Sequence, residues 1–142
     1  MPDSPERIGA ATAQLKAIHD GLREQLSTAL ADVDAFLAGG GPVPTLQQHC
    51  LSFCGSLHAH HSREDGVFPR LANDFPELEP ALDRLTQEHA TVAAVNERLV
   101  ATLERLVDEP ENAVRLRAEL TELAATLEAH YTYEEAHLGP VL

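Results

Sequence analysis

Two histidine–glutamate pairs, each with three residues between its members, constrain this 142-residue chain more than any other feature. The first pair is His60 and Glu64, and the second is His130 and Glu134. On an α-helix, residues four positions apart lie on the same face about one turn apart. Each pair can therefore present an imidazole and a carboxylate to one metal ion. The repeat predicts two helices that contribute to one metal site.

The rest of the chain favours helices. Hydrophobic residues make up 44% of the sequence but aromatic residues only 4%, and alanine, leucine and glutamate dominate with few β-branched runs. Turn-rich segments at 39–44, 73–80 and 108–111 divide the chain into four long segments. Because short connections join antiparallel neighbours, we expect an all-α fold, an antiparallel up-down-up-down four-helix bundle. The length fits a single domain over residues 1–142.

Local signals predict where helices begin and end. Ser4 followed by Pro5 is typical of an N-cap with proline at the first helical position. Thr45, with Gln48 three residues later, predicts a capping box that opens the second helix. Pro69 predicts a bent or broken last turn in the same helix.

Each predicted helix carries an apolar stripe that polar residues interrupt at one level. His19 interrupts the first stripe and His89 interrupts the third. On the second and fourth helices the stripe is predicted to continue after its polar interruption, at Val67 and at His137. Counted from the connecting segments at about 1.5 Å per residue, the four interruptions lie at one height of the bundle. The interrupting residues are His19, His60, Glu64, His89, His130 and Glu134.

This set of side chains is typical of a metal site. A lone histidine on an apolar face is usually a core residue, but two carboxylates buried beside four histidines would carry a severe desolvation cost without a cation. Structural zinc normally takes four ligands, so four nitrogens and two oxygens better match two ions bridged by carboxylates. Iron is the natural candidate, although zinc and copper bind such ligands with higher affinity.

The other histidines are predicted to lie outside this site. His61 and Asp65 form another pair, but they are turned about 100° from His60, so a solvated position or a contact with a ligand is favoured over ligation. His58 is expected to be exposed. His49 lies 11 residues before His60, about 16 Å along the helix axis, too far to share the site.

The two cysteines, Cys50 and Cys54, are four positions apart, where helix geometry does not favour a disulfide. We expect reduced thiols that act as small core residues, with a redox-sensing thiol as the alternative.

The order of these ligands resembles a known family. A histidine, a His-x-x-x-Glu motif, a second histidine and a second His-x-x-x-Glu motif, with Glu-Asp-x-x-Phe-Pro at Glu64–Pro69, resemble the hemerythrin-like (HHE cation-binding) domain from His19 to about Leu138. The resemblance implies a non-haem di-iron centre held by the six interrupting residues. It implies Glu64 and Glu134 as bridging carboxylates, with an oxo group as a further candidate bridge.

The sequence also departs from the oxygen-carrying hemerythrins. By the resemblance, those proteins have a second histidine one turn after the third-helix ligand, where this chain has Ala93, and an aspartate bridge where this chain has Glu134. With four histidines instead of five, one ion lacks a ligand or takes another. The candidates for this ligand are His61, Tyr131, Tyr133 and His137. A tyrosinate would suit ferric iron and would disfavour reversible oxygen carriage.

A related alternative is a ferritin-like site, since Glu134 and His137 match the Glu-x-x-His element of those carboxylate proteins. The second helix has no such element, so the hemerythrin-like interpretation is favoured.

Charge and hydropathy limit the classes of binding partner and the location that the sequence predicts. A formal net charge of -13 argues against nucleic acid and against an anionic membrane surface. The sequence has no signal-peptide pattern and no run of about 18 apolar residues, so a cytoplasmic location is expected.

An iron pair with an open coordination position can bind O2, peroxide or NO. We expect redox turnover of peroxide or a related small oxidant, since one histidine of the oxygen carriers is missing. The alternative is reversible O2 or NO binding, or iron storage or sensing, without turnover. A metal that only holds an interaction domain together is the third hypothesis.

Overall fold

The computed structural model describes the backbone of residues 5–141 and the side chains of residues 13–141. Its helices are α1 (Pro5–Leu37), α2 (Val43–Asp74), α3 (Glu79–Glu104) and α4 (Asn112–Leu138), with a short 3-10 helix (Pro76–Leu78) between α2 and α3. None of the described residues lies in a strand. The all-α class and the four-helix bundle are therefore confirmed.

The predicted start of α2 is wrong. The helix begins at Val43, and its N-cap residue, Pro42, makes no side-chain capping hydrogen bond. Thr45 therefore lies inside the first turn, where it cannot form the predicted capping box with Gln48. Pro44 explains the earlier start, because a proline in the first turn presets the helical φ and lacks only an N–H that the helix would leave unpaired. The predicted N-cap of α1, Ser4, lies outside the described residues.

Of the bent or broken last turn predicted at Pro69, the break is wrong, because α2 continues to Asp74; the bend stays a prediction. Pro69 removes the N–H that would bond to the carbonyl oxygen of Asp65. Both residues are exposed, so water can hydrogen-bond to that carbonyl. The adjacent Phe68 is buried against Leu85 and other apolar residues, which holds the end of the helix in place.

Two apolar clusters fill the bundle, one on each side of the predicted metal site. The larger cluster contains the residues from Leu22 to Val33 on α1 and from Leu46 to Leu57 on α2 that face the core, together with their neighbours on α3 and α4. The smaller cluster lies beyond the histidines and consists of Phe68, Leu78, Leu82, Leu85 and Leu138. The polar side chains between the two clusters are therefore shielded from water along the bundle axis.

Two stripe positions differ from the prediction. Val67 is 50% exposed, and His137 is exposed. The buried residues are the next ones along the chain, Phe68 and Leu138. Each lies four residues after the glutamate of a histidine–glutamate pair. A helix that presents residues at steps of four through the site keeps the same face toward the core in the following turn.

Side-chain contacts give the relative direction of several helices. Arg117 of α4 donates to Asp34 near the end of α1, whereas Glu128, later in α4, accepts from Arg23, earlier in α1. Contacts between α1 and α2, and between α2 and α3, likewise join later residues of one helix to earlier residues of the other, so these helices are antiparallel. The complete up-down-up-down order of the four helices stays a prediction.

Among the described residues, no helix combines the length and the apolar character needed to cross a bilayer.

Cys50 and Cys54 are free, buried members of the larger cluster, as predicted for small core residues. Burial raises the pKa of Cys50 to about 12 and that of Cys54 to about 11. Both thiols therefore keep their protons at neutral pH, which argues against a redox-sensing role.

We expect both cysteines to resist alkylation in the native protein. At pH 8 iodoacetamide should modify them on the order of 100-fold more slowly than in denaturant, because the thiolate is the reacting species and unperturbed cysteine has a pKa of about 8.5. Mass spectrometry of the alkylated protein measures both rates. Equal rates in the two conditions would contradict the buried, protonated state.

Candidate metal centre

Side chains from all four helices converge between the two apolar clusters. The structure brings together all six residues that the sequence predicts, and it adds one more, His61. These seven residues are called the histidine–glutamate cluster: His19, His60, His61, Glu64, His89, His130 and Glu134. All are buried except Glu64, whose side chain is 12% exposed.

Among the residues that the structure describes, the inward-facing atoms of this cluster have no hydrogen-bond partners. They are eight atoms: the Nε2 of each of the five histidines, one oxygen of Glu64 and both carboxylate oxygens of Glu134. Leaving one such buried atom unpaired costs about 1–3 kcal/mol, and more for a charged group, so native proteins rarely do so. A cation among the eight atoms would satisfy all of them. The cluster therefore fits a bound metal.

Glu64 lies between histidines of two helices. Its Oε1 is 3.3 Å from Nε2 of His60 on the same helix and 3.3 Å from Nε2 of His89 on α3. Two atoms that each lie about 2.1 Å from one ion are about 3.0 to 3.4 Å apart when the angle at the ion is about 90° to 110°. These spacings are those of neighbouring ligand atoms.

Glu134 occupies the matching position on α4. Its Oε1 is 3.3 Å from Nε2 of His19, and its Oε2 is 3.4 Å from Nε2 of His130. One carboxylate thus contacts imidazoles of α1 and α4 through different oxygens, as a bridging ligand does.

The potential ligand atoms form two groups, each within 4.8 Å. The three-histidine group is His61, Glu64, His89 and His130, and the two-histidine group is His19, His60 and Glu134. Each glutamate also contacts a histidine of the other group, since Glu64 approaches His60 and Glu134 approaches His130. The geometry can therefore hold two ions joined by carboxylates.

Carboxylates behind two of the imidazoles orient the rings. Nδ1 of His89 donates to Asp65 at 2.7 Å, and Nδ1 of His130 donates to Glu88 at 2.8 Å. A carboxylate that holds the proton on Nδ1 leaves the lone pair of Nε2 facing inward, and such partners are common behind histidines that bind metals.

Burial also sets the protonation states that metal binding requires. Burial lowers the pKa of His60 to about 4 and that of His61 to about 2, and it lowers the pKa of His89. These imidazoles are therefore neutral, the form that binds metals. Burial, together with the neighbouring Glu134, raises the pKa of Glu64 to about 11, so without a cation Glu64 holds a proton. For Glu134, burial acts in the opposite direction to its histidine partners, which lower the pKa overall.

His61 is absent from the six predicted ligands and is named only among the candidates for an extra one; a solvated position for it is wrong. Its side chain is 5% exposed, and its ring stacks on that of His89 with centroids 4.0 Å apart. A helix in a bundle buries an arc of 100° or more, so His60 and its neighbour can both face inward. Ala93 is the sequence signal that could have indicated the position of His61. It lines the same cavity as His61, and its small side chain leaves room for the imidazole.

Of the other candidates for an extra ligand, one contacts the cluster and two do not. Tyr131 is 1% exposed, its ring stacks on His19 with centroids 4.2 Å apart, and its hydroxyl has no hydrogen-bond partner. Tyr133 stacks instead on the exposed His137, with Arg84 over its ring. Nδ1 of His137 donates to the Tyr133 carbonyl oxygen. His137 therefore faces away from the cluster, which removes the basis for a ferritin-like site.

The two histidines that the sequence analysis placed outside the site, His49 and His58, lie outside the cluster. His49 forms a hydrogen bond with Asp32 on α1, and His58 is exposed near Ser62.

The family model of the hemerythrin HHE cation binding domain matches residues 10–142. The chain belongs to this hemerythrin family. No match was found among the curated proteins or among the solved structures. The family match confirms the resemblance that the four motifs indicate, and with the two groups of ligand atoms it identifies a cation-binding helical domain.

Metal removal should destabilise this hemerythrin domain. Affinity for the folded state alone adds about 4 kcal/mol when the free metal is at 1,000 times its Kd, which corresponds to a melting temperature about 10 °C higher for a domain of this size. Calorimetry with and without a chelator measures the difference. An unchanged melting temperature after complete metal removal would contradict a buried site.

Glu134→Gln should separate metal binding from packing. The variant should lose the stabilisation by metal, whereas the metal-free variant should be at least as stable as the metal-free wild type, because a buried charge has been removed. His49→Ala is the control and should keep its metal. Elemental analysis and thermal melts of both variants test this prediction, and a Glu134→Gln protein with full metal content would refute it.

Proposed function

We propose that this hemerythrin domain holds two iron ions in a non-haem, carboxylate-bridged centre that turns over peroxide. The observation that carries the metal assignment is the set of eight buried, unpartnered nitrogen and oxygen atoms. Imidazole and carboxylate ligands without thiolates suit iron, and two shared carboxylates suit a pair of ions. When bound, iron supplies a redox-active Lewis acid at which a small oxidant can bind.

The two ions would be held unequally. Three imidazoles belong to one group and two to the other, while Glu64 and Glu134 contact both groups. The ion in the two-histidine group would therefore have fewer protein ligands. An ion with an open position is what binding of an external ligand requires.

Tyr131 is the observation that favours turnover over reversible binding. Its buried hydroxyl has no partner, and its ring lies against His19 of the two-histidine group. Burial raises the pKa of Tyr131, so the phenol keeps its proton in the absence of metal. A phenol is both a proton donor and an oxidisable group. Reduction of peroxide needs protons and electrons, whereas a reversible carrier needs no oxidisable neighbour.

Reversible binding of O2 or NO is the second candidate, and His61 favours it. The sequence argument for turnover was that only four histidines face the site. Because His61 lies in the cluster, five imidazoles are present, the number that the resemblance associates with oxygen carriers. The choice between the two functions therefore depends on Tyr131 and on direct measurement.

His61→Ala should lower the iron content from two ions per chain toward one, since the three-histidine group would lose an imidazole. Adding Ala93→His should restore the second ion, because Ala93 lines the same cavity from α3. His58→Ala, an exposed neighbour, is the control with two ions. Elemental analysis measures the content. Full iron content in His61→Ala would exclude His61 as a required ligand.

Tyr131→Phe should keep both ions but slow peroxide consumption at least about tenfold, since a positioned proton donor contributes a factor of that order or more. Stopped-flow measurement of peroxide loss, together with iron analysis, tests the role. A stable, reversible O2 adduct without peroxide consumption in the wild type would favour the binding function instead. A charge-transfer band of the ferric wild type that Tyr131→Phe abolishes would identify tyrosinate ligation.

A further inference from the structure

A cavity of about 400 Å³ between α1 and α2 reaches the histidine–glutamate cluster. It is called the α1–α2 pocket. Its polar lining consists of His60 and Glu64 of the cluster, with Arg63 and Gln14. Its apolar lining consists of Leu15, Ile18, Val67, Phe68, Leu71 and Leu138. One part of the pocket is thus polar and adjoins the cluster, and the remainder is apolar.

The pocket meets the cluster where its two groups of ligand atoms adjoin. It touches His60 of the two-histidine group and Glu64, which belongs to the three-histidine group and contacts His60. A second, smaller cavity of about 190 Å³ reaches the cluster at His61 and His89 of the three-histidine group. An external ligand that enters through the α1–α2 pocket therefore arrives at His60 and Glu64, beside the position where an ion in the two-histidine group would have fewer protein ligands.

The size of the pocket exceeds what a small oxidant needs. A water molecule takes about 30 Å³ of liquid volume, and hydrogen peroxide or a diatomic gas is only slightly larger. A cavity of about 400 Å³ is more than ten times that size and lies in the range of sites for organic ligands. The pocket therefore has room for an organic group beside a peroxide group.

The apolar rim is exposed to water. Ile18 is 38% exposed and Val67 is 50% exposed, although both are large apolar side chains beside a cavity. Burying apolar surface is favourable by about 25 cal/mol per Å². Clustered apolar exposure at a concave site is typical of a binding site for an apolar group.

We propose that the α1–α2 pocket binds the hydrocarbon substituent of an organic hydroperoxide, ROOH, with the peroxide group directed toward His60 and Glu64. This inference rests on the proposed peroxide function and assigns its substrate class. Reduction of ROOH breaks the O–O bond and gives ROH and water, with uptake of two protons and two electrons. Oxidation of ascorbate to dehydroascorbate supplies both in the assay.

The binding experiment uses cumyl alcohol, the unreactive ROH product of cumene hydroperoxide, and the iron-loaded protein. Calorimetric titration should give a Kd of about 1 mM or lower, as expected for a ligand of about ten heavy atoms. Val67→Trp fills the pocket from an exposed position and should weaken binding at least tenfold. Val114→Trp is the matched control, because Val114 is 65% exposed on α4 and lies outside the pocket lining; its Kd should stay within twofold.

Kinetics give a second readout. Val67→Trp should lower the ratio of kcat/KM for cumene hydroperoxide to kcat/KM for hydrogen peroxide at least tenfold, whereas Val114→Trp should leave this ratio unchanged. A general loss of catalysis would affect both substrates equally and would leave the ratio constant. An unchanged ratio in Val67→Trp overturns the assignment.

The binding data distinguish failure of the inference from failure of the proposed function. Consumption of hydrogen peroxide without binding of cumyl alcohol at about 10 mM overturns the inference and retains the function. Binding of the alcohol without consumption of either peroxide overturns the function and the hydroperoxide assignment together. A wild-type dimer that Val67→Trp converts to a monomer, measured by light scattering, would identify the pocket as an interface between copies and overturns the inference.

Discussion

The desolvation of two glutamates at the centre of the bundle is the constraint on which the rest of the structure depends. Glu134 is fully buried and Glu64 nearly so, and neither has a lysine or arginine as an ion-pair partner among the described residues. A carboxylate in such a place must gain a proton or a cation. Burial lowers the pKa values of His60, His61 and His89, so these three imidazoles supply no positive charge. The fold therefore creates a demand for positive charge that a metal meets.

The four helices place the candidate ligands around this position, three from α2, two from α4 and one each from α1 and α3. Spacing of four residues gives α2 and α4 one imidazole and one carboxylate each on one face, and α1 and α3 add His19 and His89. The apolar clusters on both sides shield the site from water along the bundle axis, which strengthens the electrostatic contacts inside it. The α1–α2 pocket reaches the histidine–glutamate cluster at His60, a member of the two-histidine group, and at Glu64.

The sequence predicts the fold class and six of the seven cluster residues, because both depend on spacing within a helix. Residues such as His19 and His89 could be aligned between helices by counting from the turns. His61 could not be assigned in this way, because its burial depends on how far α2 is rotated about its own axis. The same rotation explains why Phe68, and not Val67, faces the core.

Other features depend on three-dimensional packing that no single segment encodes. The stacking of Tyr131 on His19 joins α4 to α1, and the hydrogen bond from His89 to Asp65 joins α3 to α2. Pro69 remains inside α2 because the helix around it is exposed to water on one side and packed against the core on the other. A helix-breaking signal read from the local sequence takes no account of these surroundings. The start of α2 was missed for a simpler reason, since Pro44 competes with the Thr45 capping signal.

The hydrogen bonds behind the imidazoles have a mechanical consequence. Asp65 of α2 holds His89 of α3, and Glu88 of α3 holds His130 of α4, at 2.7 and 2.8 Å. A slide of one helix by a single residue moves its side chains about 1.5 Å along the axis, which is enough to break these bonds. The ligands thus come together only when neighbouring helices are in axial register. Metal occupancy is therefore a measure of the alignment of the helices with one another, and a chain with four intact but misaligned helices would bind none.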